Sequence, residues 1–90
     1  MVEADLERYL SQEARRVGHL VLKLRLMGET GWPDRLVVLP SNRVLWIELK
    51  TPSGKLSKRQ VHVHNQLLNL GHRVLVLRSK EEIRNALATA

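Results

Sequence analysis

Two carboxylates, Asp34 and Glu48, stand in β-rich runs of the sequence, where acidic residues are uncommon. The strand period of two places Glu48 and Lys50 on one face of their run and the neighbouring aliphatic residues on the other. If residues 40–42 form a three-residue connection, Asp34 lies opposite Glu48, with β-carbons roughly 5 Å apart. A two-residue connection shifts the register by one, although a bulge could restore the pairing.

Two carboxylates this close repel, so one of them keeps its proton at neutral pH unless a divalent cation lies between them. Oxygen ligands in a chain without cysteine favour Mg²⁺ or Mn²⁺ over zinc. Such a cation polarises P–O bonds and lowers the pKa of a bound water, while Lys50 could hold that water or stabilise the developing charge. The set is typical of phosphodiester hydrolysis. The alternative is structural: Asp34 caps a turn after Pro33, and Glu48 and Lys50 form an exposed ion pair.

The charge of the chain favours a polyanionic partner. Fifteen Lys and Arg against nine Asp and Glu give a net charge of +6 and a sequence pI near 10.5, which indicates nucleic acid; charge that only maintains solubility is the alternative. Because aromatic residues are scarce, we expect recognition of DNA by shape rather than by sequence. The basic residues at the start of the second helix, together with others at strand ends, form the expected DNA-binding surface: Lys55, Lys58, Arg59, Lys23, Arg35 and, as a possible extension, Arg25.

The periodicity predicts seven elements in the order α-β-β-β-α-β-α. A helix over 4–16 precedes a strand within 19–26, a loop over 27–33, and strands over 34–39 and 43–50 that pair antiparallel. Ser57 and Gln60 have the spacing of a capping box that opens a helix to Leu70; a strand over 73–78 and a helix capped by Ser79 follow. We therefore expect an α/β fold, a four-stranded mixed sheet flanked by helices, with one βαβ crossover.

Length and composition set the frame for this fold. Ninety residues, of which 43% are hydrophobic and 27% charged, predict one globular domain over 1–90. Neither a membrane-spanning run nor a signal peptide is recognisable, so we expect a soluble protein of the cytoplasm, in a bacterium or a phage-infected host cell.

The second predicted helix carries polar residues near the centre of its apolar stripe. Gln60 has a structural explanation as the partner of the Ser57 cap, but its position also suits a contact with the cluster at the strand ends. His64 is more typical of a satisfied core histidine than of a ligand. His62 and His64 lie about 200° apart around a helix and cannot chelate one ion together.

Gly31-Trp32-Pro33-Asp34, followed after thirteen residues by Glu48-Leu49-Lys50 and then by Gly54-Lys55-Leu56-Ser57-Lys58-Arg59-Gln60, resembles the PD-(D/E)XK nuclease superfamily. Within it, the pattern is similar to the virus-type replication-repair nuclease domains, VRR-NUC. Trp32 departs from it, since a small or aliphatic residue is more usual before Pro-Asp.

The resemblance implies a Mg²⁺-dependent endodeoxyribonuclease, with Mn²⁺ able to substitute. Asp34, Glu48 and the Leu49 carbonyl would be the metal ligands, Lys50 would position the nucleophile, and Gln60 matches the family's motif glutamine. Short stand-alone members resemble Holliday-junction resolvases of DNA repair and recombination and act as homodimers. Alternatives are a nicking or restriction-type enzyme on duplex DNA, a catalytically silent DNA-binding module and a basic protein–protein adaptor.

The family also uses a glutamate on the first helix, and the resemblance points to Glu7. Helix geometry alone does not choose among Glu3, Glu7 and Glu13, because all three lie within or beside the apolar stripe. Glu3, one turn before Glu7, is the substitute. A solvated acidic helix start that favours the helix dipole is the structural alternative.

Overall fold

A computed structural model describes residues 3–90 and contains the seven elements in the predicted order. The helices and strands are α1 (Glu3–Arg16), β1 (Leu20–Lys23), β2 (Arg35–Leu39), β3 (Arg43–Leu49), α2 (Lys58–Asn69), β4 (Arg73–Leu77) and α3 (Lys80–Ala88). The sheet order is β1-β2-β3-β4. The first two neighbouring pairs are antiparallel and the third is parallel, so the mixed four-stranded sheet is confirmed.

The β2–β3 hairpin has the register that sets the two strand carboxylates side by side. Leu39 pairs with Arg43, and the ladder continues to Arg35 opposite Ile47. The connection over 40–42 therefore has three residues, two of which adopt left-handed backbone with φ of 63° and 60°. One further step along this register brings Asp34 opposite Glu48.

The C-terminal end of β3 is held from the other side by the crossover through α2. Glu48 pairs with Val76 and Leu49 with Leu77 in the parallel ladder, and the Lys50 backbone N–H donates to the Leu77 carbonyl over 3.1 Å. Strands that are bonded on both sides have little freedom to shift. The Glu48-Leu49-Lys50 segment is therefore fixed within the sheet.

The hydrophobic core lies between the sheet and the pair α1 and α3. Aliphatic residues of α1, β2, β3 and α3, with Leu77 of β4, form this cluster: Leu6, Leu10, Ala14, Val37, Leu39, Leu45, Ile47, Leu49, Leu77, Ile83 and Leu87. Helix α2 packs against β4 and buries Val63, His64 and Leu67. Alternation along β3 thus directs its aliphatic side chains to α1 and α3, and Glu48 to the side of α2.

Both predicted helix caps are present. The Ser57 hydroxyl accepts from the Gln60 backbone N–H over 3.1 Å, and the Ser57 backbone N–H donates to Gln60 Oε1 over 2.9 Å. The Ser79 hydroxyl caps α3 by accepting from the Glu82 backbone N–H over 3.1 Å, while the Glu82 carboxylate accepts from the Arg78 backbone N–H. Of the helices in the described part of the chain, none combines the length and apolar character that crossing a bilayer requires.

Candidate active site

Three carboxylates from three elements converge at one end of the sheet. Glu3 begins α1, Asp34 immediately precedes β2, and Glu48 lies near the end of β3. Each offers one oxygen, and these oxygens all lie within 4.8 Å of one another. Glu3 is exposed, Asp34 is half-buried and Glu48 is only 5% exposed. The strand carboxylates therefore meet as their register predicts, and a helix carboxylate joins them.

The carboxylate from α1 is that of Glu3, whereas the resemblance pointed to Glu7. Glu7 Oε1 lies 2.5 Å from a terminal nitrogen of Arg35 and 4.0 Å from Lys23 Nζ. Four residues along a helix correspond to about 6 Å along its axis. This distance moves Glu7 from the end of the sheet to a place beside the β2 arginine, where it neutralises a buried charge. The expected place of Glu7 in the cluster is thus corrected to Glu3.

Arg35 belongs to the interior rather than to a DNA-binding surface. The residue is 4% exposed. Besides the Glu7 contact, its Nη1 lies 2.8 Å from Asp34 Oδ2 and donates to the Asp34 carbonyl oxygen over 3.2 Å. A buried guanidinium must be paired, because an isolated charge is strongly disfavoured in the interior. The prediction that Arg35 grips phosphate is therefore wrong; the side chain instead fixes the orientation of the Asp34 carboxylate.

Buried polar atoms without partners mark the centre of the cluster. Asp34 Oδ1, Glu48 Oε1 and His64 Nε2 are inaccessible to solvent and have no hydrogen-bond partner among residues 3–90. Such atoms are uncommon in folded proteins and require an explanation, such as a bound ion or water. Since Arg35 holds Asp34 Oδ2, Oδ1 is the atom left for a ligand. Hard carboxylate oxygens are the donors that Mg²⁺ and Mn²⁺ prefer, so the residues fit such a cation.

The electrostatics of Glu48 agree with this assignment. Burial, followed by the proximity of Asp34, raises the pKa of Glu48 to about 7, against an opposing effect of Lys50. The metal-free cluster therefore retains a proton near neutral pH. A divalent cation would displace that proton, because ligating carboxylates bind in their ionised form.

His64 is a neighbour of the cluster whose part the sequence did not reveal. Its Nε2 lies 3.9 Å from Glu48 Oε1 and is one of the unpartnered atoms, so the expectation of a satisfied core histidine is wrong. Burial and the charge of Lys50 lower the pKa of His64, which keeps the imidazole neutral at pH 7. In the sequence, the position of His64 near the centre of the apolar stripe of α2 was the feature that could have indicated this contact.

The remaining predicted site residues occupy the same end of the fold. Lys50 is half-buried, and its charge influences both Glu48 and His64. Gln60 uses its side-chain oxygen in the capping box, so its structural explanation is confirmed and its catalytic part stays a prediction. The Leu49 carbonyl also stays a predicted ligand.

The predicted basic residues outside the core are exposed, but two of them have partners. Lys55 and Lys58 are solvent-accessible near the start of α2. Arg59 donates from Nε to the Thr30 carbonyl over 3.3 Å, which ties α2 to the loop leading into Asp34. Lys23 is exposed on β1 and faces Glu7 at 4.0 Å.

Comparison with known proteins identifies relatives of this fold. No protein-family model matches the chain. The chain is 38% identical over 79 residues to "Putative nuclease p44" of Acyrthosiphon pisum secondary endosymbiont phage 1, an alignment that covers 88% of this chain and 85% of that protein. A solved structure of a VRR-NUC domain superposes with a TM-score of 0.88 at 28% identity and covers 96% of this chain and 94% of that one. The chain therefore belongs to the VRR-NUC family and is a nuclease.

Proposed function

We propose that this nuclease is a Mg²⁺-dependent endodeoxyribonuclease that hydrolyses DNA phosphodiesters, with Mn²⁺ able to substitute. The observation that carries the proposal is the meeting of three carboxylate oxygens within 4.8 Å of one another, two of the contributing side chains having a buried oxygen without a partner. This donor set suits a hard divalent cation and offers nothing to a soft one.

Asp34, Glu48 and Glu3 would hold the cation, with the Leu49 carbonyl as a further ligand. When bound, the ion supplies Lewis acidity toward the phosphate oxygens and activates a water. Arg35 holds Asp34 Oδ2 at 2.8 Å, so Oδ1 is the Asp34 atom that would hold the ion. Hydrolysis forms a bond from the water oxygen to phosphorus and breaks one P–O ester bond, and a proton ends on the leaving oxygen. Lys50 positions the attacking water and stabilises the added negative charge.

The DNA is held through its phosphates. The net charge of +6 and the exposed Lys55 and Lys58 near the start of α2 support contacts that position the backbone without reading bases. We expect a preference for four-way junctions or other branched DNA and a homodimer, since two copies related by a twofold axis can cut two strands of a junction symmetrically.

Paired measurements on Asp34→Asn and Lys50→Ala test the catalytic proposal. Both variants should lose cleavage of a four-way junction by several orders of magnitude in Mg²⁺. Asp34→Asn should also lose Mn²⁺ binding by calorimetry, whereas Lys50→Ala should retain it. Glu81→Gln, an exposed carboxylate substitution in α3, is the matched control and should behave as the wild type. Full cleavage by Asp34→Asn would refute the proposal.

A substrate panel and sedimentation test the finer parts. Four-way, flap and linear duplex DNA of equal length should be cleaved in decreasing order, and equilibrium sedimentation should show a dimer at micromolar concentration. Equal cleavage of all three would favour a duplex nicking enzyme. A strictly monomeric protein would contradict the symmetric arrangement.

A further inference from the structure

A groove between α1 and β1 lies outside the carboxylate cluster, and its charged lining residues are mainly positive. It has a volume of about 690 Å³. Besides the buried Arg35, the lining includes four cationic residues, Arg8, Arg15, Arg16 and Lys23, against one carboxylate, that of Glu7. The groove is therefore strongly electropositive, in a chain whose proposed substrate is a polyanion.

Ion pairs account for part of this charge and leave the rest available. Arg35 neutralises Glu7 at 2.5 Å, and Arg16 is paired with Glu13 at 2.9 Å. Arg8 reaches Asp5 only at 3.8 Å, with both side chains exposed, a contact of little strength in water. Within residues 3–90, no carboxylate lies in ion-pair range of Arg15. Arg8 and Arg15 are thus the α1 cations of the groove left available for a ligand, and Lys23, which is exposed and faces Glu7 only at 4.0 Å, adds a third from β1.

The groove begins beside the carboxylate cluster and runs away from it along α1. Ala4, which follows Glu3, lines one end, and Arg15 lines the wall near the other end of the helix. Arg8 and Arg15 are seven residues apart, or roughly 10.5 Å along the helix axis. Two arginines with this spacing are far enough apart to contact different phosphates of one DNA strand.

The polar wall between the arginines suits the same ligand. Ser11 and Gln12 line the groove between Arg8 and Arg15, and hydroxyl and amide groups are common donors to phosphate oxygens. Arg35 links the floor to the cluster, because it contacts both Glu7 and Asp34. A strand whose scissile phosphate lay at Asp34 would therefore continue directly into the groove.

We propose that the α1–β1 groove binds the phosphate backbone of the DNA strand that leaves the cleavage site, with Arg8 and Arg15 as its main contacts. The inference rests on the proposed DNA substrate and assigns a binding tract separate from the lysines near α2. The contacts carry no base information, so the tract adds affinity and orientation without sequence preference.

Binding measurements in an Asp34→Asn background test the groove without cleavage. Arg8→Gln/Arg15→Gln should weaken binding to a 30-base-pair duplex about tenfold and reduce the slope of log Kd against log salt by about 1 to 2, since up to two phosphate contacts disappear. Arg43→Gln/Arg73→Gln removes the same charge at the opposite end of β3 and β4 and should change Kd less than threefold.

The outcomes separate this inference from the proposed function. Equal weakening by both double variants would mean that only net charge matters and would overturn the groove. Binding by the groove variant at wild-type strength would overturn it as well, and so would a shift of that variant from dimer to monomer in sedimentation, which would assign the face to subunit contact. Failure of the wild-type chain to cleave any DNA in Mg²⁺ or Mn²⁺ would refute the proposed function, whichever result the binding series returned.

Discussion

Glu3 and Glu7 lie one helical turn apart, but their side chains contact groups of opposite charge. Glu3 contributes an oxygen to the carboxylate cluster, whereas Glu7 neutralises buried Arg35. We expect Glu3→Gln to reduce cleavage and Mn²⁺ affinity at least tenfold with little loss of stability, because the substitution removes a proposed metal ligand from an exposed position. Glu7→Gln should instead lower the free energy of unfolding by about 2 kcal/mol, since a buried charge loses its partner.

Urea unfolding, calorimetric Mn²⁺ titration and cleavage rates on both variants check this contrast. Glu13→Gln, which affects only a surface pair with Arg16, is the control for helix charge. A Glu7→Gln protein that lost Mn²⁺ binding while Glu3→Gln kept it would reverse the assignment.

Glu48 makes the stability of the metal-free protein depend on pH. Its pKa is raised from 4.5 to about 7, so between these values the unfolded chain ionises while the folded chain keeps the proton. The contribution of Glu48 to the free energy of unfolding is therefore complete below pH 4.5. It is lost as pH rises to 7, by up to about 3 kcal/mol. The lowered pKa of His64 acts oppositely, reducing stability as pH falls below about 6.5.

Urea unfolding in EDTA across pH 4.5 to 8 measures this dependence. Glu48→Gln cannot ionise at this position and should show a smaller loss of stability between pH 5 and 7 than the wild type. Identical pH profiles for the two proteins would contradict a protonated Glu48 in the folded, metal-free state.

Residue-level prediction succeeded where strand geometry sufficed and failed where packing between elements decides. The pairing of Asp34 with Glu48 follows from the alternation of β3 and the three-residue turn, both of which are local. The choice between Glu3 and Glu7 depends on how far α1 is displaced along the sheet, which its own periodicity does not contain. Burial of Arg35 was likewise invisible, because its partners come from α1 and from the residue before it.

At the scale of the elements, the conformation of the loop before β2 depends on a close contact between the backbone of Gly31 and Arg59 of α2. Gly31 has φ of +83°, and a Cβ there would lie 2.7 Å from Arg59 Cγ and 2.8 Å from the Arg59 carbonyl oxygen. Because the second atom is backbone, relief requires the loop or the first turn of α2 to move. The same loop leads into Pro33 and Asp34, so such a movement reaches the cluster.

Gly31→Ala should therefore destabilise the protein by about 2 kcal/mol or more and reduce cleavage at least tenfold. Gly28→Ala is a matched control, since Gly28 has φ of +73° with nothing within 4 Å of a Cβ. That substitution should cost only the conformational term of about 1 to 2 kcal/mol and leave cleavage unchanged. Urea unfolding and single-turnover rates measure both, and equal effects at the two glycines would contradict the role of the contact.

Most elements could be predicted from local signals, and their ends were less certain. The capping box of Ser57 and Gln60 and the Ser79 cap are present as the sequence indicates. Strand β1 covers only Leu20–Lys23 of the predicted run over 19–26. Its continuing apolar alternation favours a longer strand, but the backbone pairs only as far as Leu24, whose N–H donates to the Asp34 carbonyl. The end of β1 is therefore set by where pairing with β2 stops, and not by the β-propensity of the sequence.

At the scale of the whole molecule, a chain of net charge +6 concentrates three carboxylates at one point. The proposed Mg²⁺ or Mn²⁺ would relieve their mutual repulsion, and the unfolded chain, which lacks this arrangement, would bind the ion poorly. Binding to the folded state alone stabilises it by about 2.7 kcal/mol when the free ion is a hundredfold above its dissociation constant. For a domain of this size, that corresponds to a rise in Tm of roughly 10 °C or more.

Thermal unfolding in saturating Mn²⁺ should therefore shift Tm upward for the wild type and for Lys50→Ala, but by little for Asp34→Asn. The comparison requires KCl at matched ionic strength, because salt alone screens the repulsion among fifteen cationic side chains. If KCl reproduced the full shift, or if Asp34→Asn gained as much as the wild type, the ion would be acting on overall charge rather than at the cluster. A Tm shift that requires the intact carboxylates would instead show that metal binding at the cluster is coupled to folding of this end of the sheet.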